Sequence, residues 1–150
     1  MAVLRDDPYP AMNFLVDIGT GETESTDAGL LEVIFPEARV QVLEYRNGND
    51  RTDDARKTQS ITRYGNLILK RGAIGSLTWY AWWNAVRNGD ANSKRNISVR
   101  LQTEDRQADV LTWRFLRAWP VRHQFAPLHA LNPGVLIETL EIAFERLEME

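Results

Sequence analysis

The sequence contains no cysteine among its 150 residues. Structural disulfides, iron–sulfur clusters and thiol-based catalysis are therefore excluded, and the lack of cysteine fits a chain made in the cytoplasm. A long apolar run is missing too, because no stretch approaches the roughly 20 residues of a membrane span. The opening residues include Asp6, Asp7 and Pro8 and are not typical of a signal peptide. We expect a cytoplasmically made protein without a membrane span.

Positive charge is not in excess, and motifs for catalysis or metal binding are scarce. The net charge is −3, so no global basic field attracts nucleic acid. His123 and His129 lie in a predicted connection and lack the spacing of a helical metal pair. Gly19-Thr20-Gly21 leads into Glu22 rather than into a phosphate-binding lysine. No nucleophile–base pair supports a hydrolase. We therefore predict a non-enzymatic single domain over residues 1–150, with no metal and no cofactor.

Alternating apolar and polar residues are abundant, and they predict β-strands. In the segment 110–119, Leu111, Trp113, Phe115 and Trp119 fall on one face and Thr112 and Arg114 on the other. The segment 96–103 alternates equally well, and its short connection to the next segment predicts a hairpin. About seven strands are expected, over 11–18, 29–35, 40–45, 61–70, 96–103, 110–119 and 135–145, and Pro120 is expected to end the sixth. They predict a mainly β protein, either a β-sandwich or a partly closed barrel.

Three segments interrupt this pattern. One α-helix is predicted near residues 76–88, with Ser76 as its N-cap and Asn88 followed by Gly89 at its end. Its apolar face is expected to carry Leu77, Tyr80 and Trp83, with Trp79 and Trp82 beside it. Residues 1–10 contain two prolines and predict an extended N-terminal arm. Residues 46–60 form a long polar segment, which we expect to be functional or disordered.

Several blocks of the chain, in order, resemble the tail-tube proteins of contractile phages and the inner-tube proteins of extracellular contractile injection systems. The most specific are Trp113-Arg114-Phe115-Leu116-Arg117-Ala118-Trp119-Pro120 and Ile137-Glu138-Thr139-Leu140-Glu141-Ile142-Ala143. Others are Phe14-Leu15-Val16-Asp17-Ile18-Gly19, Leu43-Glu44-Tyr45-Arg46-Asn47-Gly48, Leu67-Ile68-Leu69-Lys70-Arg71-Gly72 and Arg95-Asn96-Ile97-Ser98-Val99.

The resemblance implies a structural subunit of a contractile tail or injection system. Six subunits would form a ring whose hairpins join into one continuous inner β-barrel, and stacked rings would form a rigid hollow tube. A contractile sheath would drive this tube through a target envelope, so that cargo passes along its lumen. The implied partners are further copies of the chain, the sheath protein, baseplate or spike proteins, tube-cap proteins and the cargo. The implied location is a phage tail or an injection particle, assembled in bacterial cytoplasm.

The resemblance also implies roles for two groups of residues. The polar face of the hairpin 96–118 is a candidate lumen lining, with Ser98, Arg100, Gln102, Thr112 and Arg114. The segment 46–60 is expected to reach a neighbouring subunit or ring, and its candidate contact residues are Asn49, Asp50, Arg51, Asp53, Asp54, Arg56 and Lys57.

Other interpretations stay open from the sequence. Within the same machinery, the chain could be a tube-initiator ring next to the baseplate or a secretion-ring homologue. From a different class, it could be a monomeric small-molecule-binding β-barrel. The sequence does not distinguish a phage tail from an injection system, nor DNA from a protein effector as cargo.

Overall fold

The computed structural model describes residues 2–25 and 28–150, so Met1 of the predicted N-terminal arm lies outside the described residues. Over these residues the chain forms nine strands and one helix. The strands are β1 (Phe14–Asp17), β2 (Glu32–Ile34), β3 (Ala38–Tyr45), β4 (Arg56–Tyr64), β5 (Leu67–Gly72), β6 (Arg95–Gln102), β7 (Asp109–Phe125), β8 (Ile137–Ala143) and β9 (Arg146–Met149), and helix α1 spans Thr78–Arg87. The prediction of a mainly β chain with one helix near residues 76–88 is confirmed.

Strand β7 belongs to two sheets at once. Its first part pairs with β6 and β9, and with β1 beyond β6 this makes sheet A, in the order β1-β6-β7-β9. Its last part pairs with β8, which continues through β5 to β2 and makes sheet B. All these pairings are antiparallel. The chain therefore folds as two sheets joined by a single long strand.

The two parts of β7 meet at a bend near Arg117. This residue has a φ of 54°, and the register with β6 shifts between Arg95 and Ile97. The Arg117 N–H donates to Oδ1 of Asn96 at 3.0 Å, which replaces the ladder hydrogen bond that the bend removes. The bend lets the strand turn from one sheet into the other.

The prediction that Pro120 ends this strand is wrong. Pro120 pairs with Ile142, and the register shifts directly after it, between Pro120 and Arg122. Proline has no N–H to donate, and it is tolerated in a sheet at a bulge of this kind. The strand consequently continues to Phe125 and includes His123, which the sequence had placed in a connection.

The core lies between the two sheets, and helix α1 closes one side of it. Trp79 and Trp82 of the helix are buried, and they join one cluster with strand residues such as Val99, Phe115 and Leu140. The predicted aromatic helix face was different, since Tyr80 and Leu77 are exposed. The prediction of Ser76 as N-cap is wrong, because the helix begins at Thr78 and Leu77 is its N-cap residue. The Ser76 hydroxyl, which precedes the helix, accepts from the Thr78 N–H at 3.3 Å.

Aromatic side chains extend this core toward β9. Phe115 packs edge-on against Phe144, with ring centroids 4.9 Å apart, and Tyr64 lies 5.2 Å from the same ring. Phe35, directly after β2, stacks at 4.7 Å on Trp113. Trp113 and Phe115 share one face of the alternating segment, and both pack against other aromatic side chains, as this shared face predicts.

Strands β3 and β4 form a separate two-stranded hairpin. Nearly all of its residues are exposed, and it pairs with no other described strand. The predicted loop 46–60 is therefore shorter, because residues 46–55 form the turn and β4 begins at Arg56. The predicted strand 61–70 is two strands, separated at Gly65 and Asn66.

Candidate assembly surfaces

The side of sheet A that faces away from the core, called here the outer face, carries alternate residues of four strands. Ser98 lies opposite Arg114, and Arg100 lies opposite Thr112, so their side chains share this face. Gln102 reaches Asp109 from the same side, with Nε2 and Oδ1 3.3 Å apart. The five candidate lining residues thus lie together on one surface. Asp17 of β1 and Arg146, Glu148 and Glu150 at β9 extend it.

Each arginine of the outer face forms an ion pair with an acidic residue of a neighbouring segment or of the same strand. Arg100 Nη1 lies 3.1 Å from Asp109 Oδ2, and Arg146 Nε lies 3.1 Å from Glu148 Oε1. Arg114 forms an ion pair with Glu150, whose main chain exchanges two hydrogen bonds with Thr112. All six side chains are at least one-third exposed. The face is polar but internally paired.

The fourth acid of the outer face, Asp17, is held by backbone donors. Its Oδ1 accepts hydrogen bonds from the N–H groups of Gly19, Thr20 and Gly21 at 2.9–3.1 Å. Gly19 and Gly21 have φ values of +93° and +80°, a conformation that glycine adopts without strain. The Gly-Thr-Gly segment is thus a turn that wraps an aspartate, and its donors already serve a carboxylate of the chain.

Sheet A has two open edges. Among the described strands, β1 pairs only with β6 and β9 pairs only with β7, so the far side of each has no strand beside it. Both edge strands are four residues long. Short edge strands limit nonspecific pairing, and their free backbone groups remain available to a specific neighbour.

The turn of the β3–β4 hairpin folds on itself. Asp50 Oδ2 accepts from the Asn47 N–H at 3.0 Å, and Arg46 Nε donates to the carbonyl of Thr52 at 3.0 Å. Among the seven candidate contact residues, Asp50 is half-buried and forms an ion pair with Arg56 at 3.8 Å, and Asp53 pairs with Arg46 at 3.6 Å. The other four, Asn49, Arg51, Asp54 and Lys57, are exposed. Five of the seven lie in the turn 46–55, and the other two, Arg56 and Lys57, are the first two residues of β4.

The hairpin also exposes apolar side chains along its strands. Val42, Leu43, Tyr45 and Ile61 are each more than half exposed. Leu43 lies opposite Thr58 in the ladder. A two-stranded hairpin alone is marginally stable in water, so these apolar residues mark a surface that a neighbour is expected to cover.

A buried ionic cluster under helix α1 was missed by the sequence interpretation. Arg71 of β5 and Glu138 of β8 are 1% and 2% exposed, and Arg71 Nε donates to Glu138 Oε2 at 3.0 Å. His123 Nε2 lies 2.7 Å from the other carboxylate oxygen, and the guanidinium stacks 4.1 Å above the Trp79 ring. The available signal was Glu138, an acid on the apolar face that Leu140 and Ile142 define.

Further ion pairs change the pKa values of two exposed acids. Arg5 of the N-terminal arm donates to Glu104 at 2.8 Å, and this hydrogen bond lowers the pKa of Glu104. The hydrogen bond from Lys94, followed by the charge of Arg117, lowers the pKa of Glu145.

The N-terminal arm is held by its backbone as well as by Arg5. The Val3 N–H donates to the Val110 carbonyl at 3.0 Å. The arm is thus attached to the β6–β7 hairpin.

The family model described as T4-like virus tail tube protein gp19 matches residues 10–148. The chain belongs to this tail tube family. The match includes both sheets, helix α1 and the exposed hairpin, and leaves out most of the N-terminal arm. The resemblance that the sequence blocks indicated is confirmed, and the chain is a structural tube protein.

Solved structures with the same fold include chains of an anti-feeding prophage and of an extracellular contractile injection system. A chain in the 6-fold symmetrised baseplate of the anti-feeding prophage is 23% identical, with a TM-score of 0.82 and 97% of each chain covered. A chain in the sheath-tube complex of the PVC extracellular contractile injection system is 19% identical, with a TM-score of 0.82 over 95% of this chain and 91% of that one. Hcp1 from Flavobacterium johnsoniae is more distant, at 16% identity and a TM-score of 0.53, with 91% and 93% covered. A comparison with curated protein sequences finds no significant match.

Two further findings concern this tail tube family chain. No group of three or more histidine, aspartate and glutamate side chains is placed to hold a metal ion within residues 2–25 and 28–150. Over the same residues, α1 is too short to cross a membrane.

Proposed function

We propose that six copies of this chain form a ring, that their copies of sheet A join into one continuous inner barrel, and that stacked rings make a hollow tube. The observation that carries this proposal is the pair of open edges on sheet A. Its four strands alternate in direction, so β1 and β9 run in opposite directions. Copies related by rotation about one axis would place β9 antiparallel to β1 of the next copy. Closing the ring would remove every open edge of sheet A.

In this arrangement the outer face of sheet A lines the lumen, and the core and helix α1 lie outside it. Ser98, Arg100, Gln102, Thr112 and Arg114 then contact passing cargo. The arrangement is supported by the polar character of this face and by the burial of the opposite face in the core.

The β3–β4 hairpin then contacts a neighbouring copy in the same ring or in the next one. Its exposed apolar strands support this role, and so does its separation from both sheets. The turn residues 46–55 would add polar contacts at the hairpin end.

The particle around the tube is proposed from the similar structures, which are recorded in baseplate, cap and sheath-tube complexes. By that likeness, the partners of this chain are a sheath protein, baseplate or spike proteins and a tube cap. The tube would be assembled in bacterial cytoplasm and would conduct DNA or a protein effector.

Engineered cysteines test the ring directly, because the chain has none of its own. We expect Leu15→Cys together with Glu148→Cys, or with Arg146→Cys, to produce a covalent ladder up to a hexamer on mild oxidation. Each pair combines two positions on the outer face, one from each edge strand. Denaturing gels report the ladder, and electron micrographs report rings and tubes.

Single-cysteine variants are the matched control, since they can form covalent dimers at most. A ladder ending at a different number would revise the ring size. A species that stays monomeric at high concentration, without rings in micrographs, would refute the proposal.

A further inference from the structure

The charges of the outer face nearly cancel within one subunit. The face carries four acids (Asp17, Asp109, Glu148 and Glu150) and three arginines (Arg100, Arg114 and Arg146), which gives a net charge of −1. Every one of these arginines lies within ion-pair distance of one of the acids. Two of the pairing acids come from the segment at β9, and the third is at the start of β7.

We propose that Asp109, Glu148 and Glu150 act as charge-masking residues, which prevent the arginines of the lumen wall from retaining a polyanion such as nucleic acid. This inference rests on the proposed function, which makes the outer face the lumen wall. It assigns a role to three acids that the sequence interpretation did not include among the lining residues.

The physical reason is the difference between a lone charge and a paired one. An unpaired arginine attracts a phosphate by a long-range field and releases counterions when it binds. An arginine with a carboxylate about 3 Å away presents a dipole, whose field decays faster and is screened within roughly 8 Å at physiological ionic strength. A repeated ring of unmasked arginines would hold nucleic acid at many points. A repeated ring of ion pairs would let it slide.

The neutral residues of the face agree with this role. Ser98, Thr112 and Gln102 supply hydrogen-bonding groups without charge, and Gln102 itself contacts the masking residue Asp109. The face also lacks the exposed aromatic platforms on which single-stranded bases stack, among the residues assigned to it here. Neither attraction nor stacking is therefore available to a nucleic acid strand.

The test is to remove the three masks together with Asp109→Asn, Glu148→Gln and Glu150→Gln. This change converts the net charge of the face from −1 to +2 and alters side-chain size very little. We expect the variant to bind a short fluorescent single-stranded DNA at least about 10-fold more tightly than the unmodified chain at low salt, with an affinity that falls as salt rises. Fluorescence anisotropy measures both.

Two control variants keep the inference falsifiable. Glu22→Gln with Glu24→Gln and Glu32→Gln makes the same change in total charge at three exposed acids outside the outer face, and we expect no comparable gain. Adding Arg100→Gln, Arg114→Gln and Arg146→Gln to the first variant should abolish the gained binding. Tight binding by the unmodified chain at physiological salt, or an equal gain in the Glu22, Glu24 and Glu32 control, would overturn the inference.

The outcome can be separated from that of the ring proposal. The outer face is exposed in the free chain, so anisotropy can be compared for whichever species each variant forms, at matched concentration and matched assembly. Micrographs of the same samples report whether rings are present. Absence of rings refutes the proposed function, whereas failure to gain DNA binding on unmasking refutes the charge-masking role.

Discussion

Single residues of the β6–β7 hairpin have roles that depend on which face of sheet A they occupy. Trp113 points into the core and stacks on Phe35, and the next residue, Arg114, points outward and pairs with Glu150. The same alternation places Val99 in the core and Arg100 on the outer face. Neighbouring residues therefore have different roles: the first packs in the core and the second lies on the exposed face of sheet A.

The buried pair of Arg71 and Glu138 allows a prediction at this scale. Glu138→Gln removes the negative charge that faces a buried guanidinium, and we expect it to lower the free energy of unfolding by about 3–5 kcal/mol. The double variant Arg71→Met with Glu138→Leu removes both charges and should be far closer to the original stability. Denaturant unfolding followed by circular dichroism measures both variants.

The exposed pair of Arg146 and Glu148 is the matched comparison. Glu148→Gln should change the free energy of unfolding by less than about 1 kcal/mol, because exposed ion pairs contribute little. If Glu138→Gln had an equally small effect, the carboxylate would not be stabilising the buried cluster.

At the scale of elements, substitutions in the β3–β4 hairpin are expected to weaken assembly without changing the stability of the free chain. Leu43 is 51% exposed in the free chain, so Leu43→Lys should leave the free energy of unfolding within about 0.5 kcal/mol of its original value. If a neighbouring copy covers Leu43, the same change should weaken assembly at least about 10-fold, since burying a leucine contributes roughly 1.5–3 kcal/mol. Sedimentation across a concentration series measures the loss.

Thr58→Lys is the control for this prediction, because Thr58 lies opposite Leu43 and is also exposed. It introduces the same charge without removing an apolar contact. An equal loss of assembly in both variants would mean that the added charge is responsible.

The elements also differ in how far their sequences determine them. The alternation in 96–103 and in 110–115 predicted strands with the correct faces, because one face is buried and the other is not. The prediction that Trp119 shares the core face is wrong, because the bend at Arg117 shifts the alternation by one residue, so that Ala118 and Pro120 are buried instead. The same rule could not show that β7 passes Pro120, since that depends on a bulge whose geometry is set by β8. It also merged β4 with β5, because the break at Gly65 and Asn66 leaves the apolar pattern almost intact.

The buried cluster shows a different limit. Glu138 and Arg71 both stand on apolar faces in their own strands, but only the pairing of β5 with β8 brings them together. His123 joins them because β7 is longer than its sequence indicated. Partners that lie far apart in the chain cannot be identified from periodicity within one segment.

For the whole molecule, the open edges of sheet A make a prediction about backbone protection. In the free chain, the outward N–H groups of β1 and β9 have no described strand beside them, so they should exchange with solvent quickly. In a closed ring they would donate to the neighbouring copy, and their exchange should slow as the concentration rises through the assembly range. Hydrogen–deuterium exchange by mass spectrometry on peptides covering residues 14–17 and 146–149 measures this change.

Strand β6 is the internal reference for that measurement. It is paired on both sides within one copy, so its exchange should not depend on concentration unless the whole chain becomes more stable. Slower exchange at both edges, with β6 unchanged, would locate the joint between subunits at β1 and β9. Rings that form while both edges continue to exchange quickly would show that the subunits meet elsewhere, and the inner barrel would then have to be closed by other elements, with the β3–β4 hairpin as the first to examine.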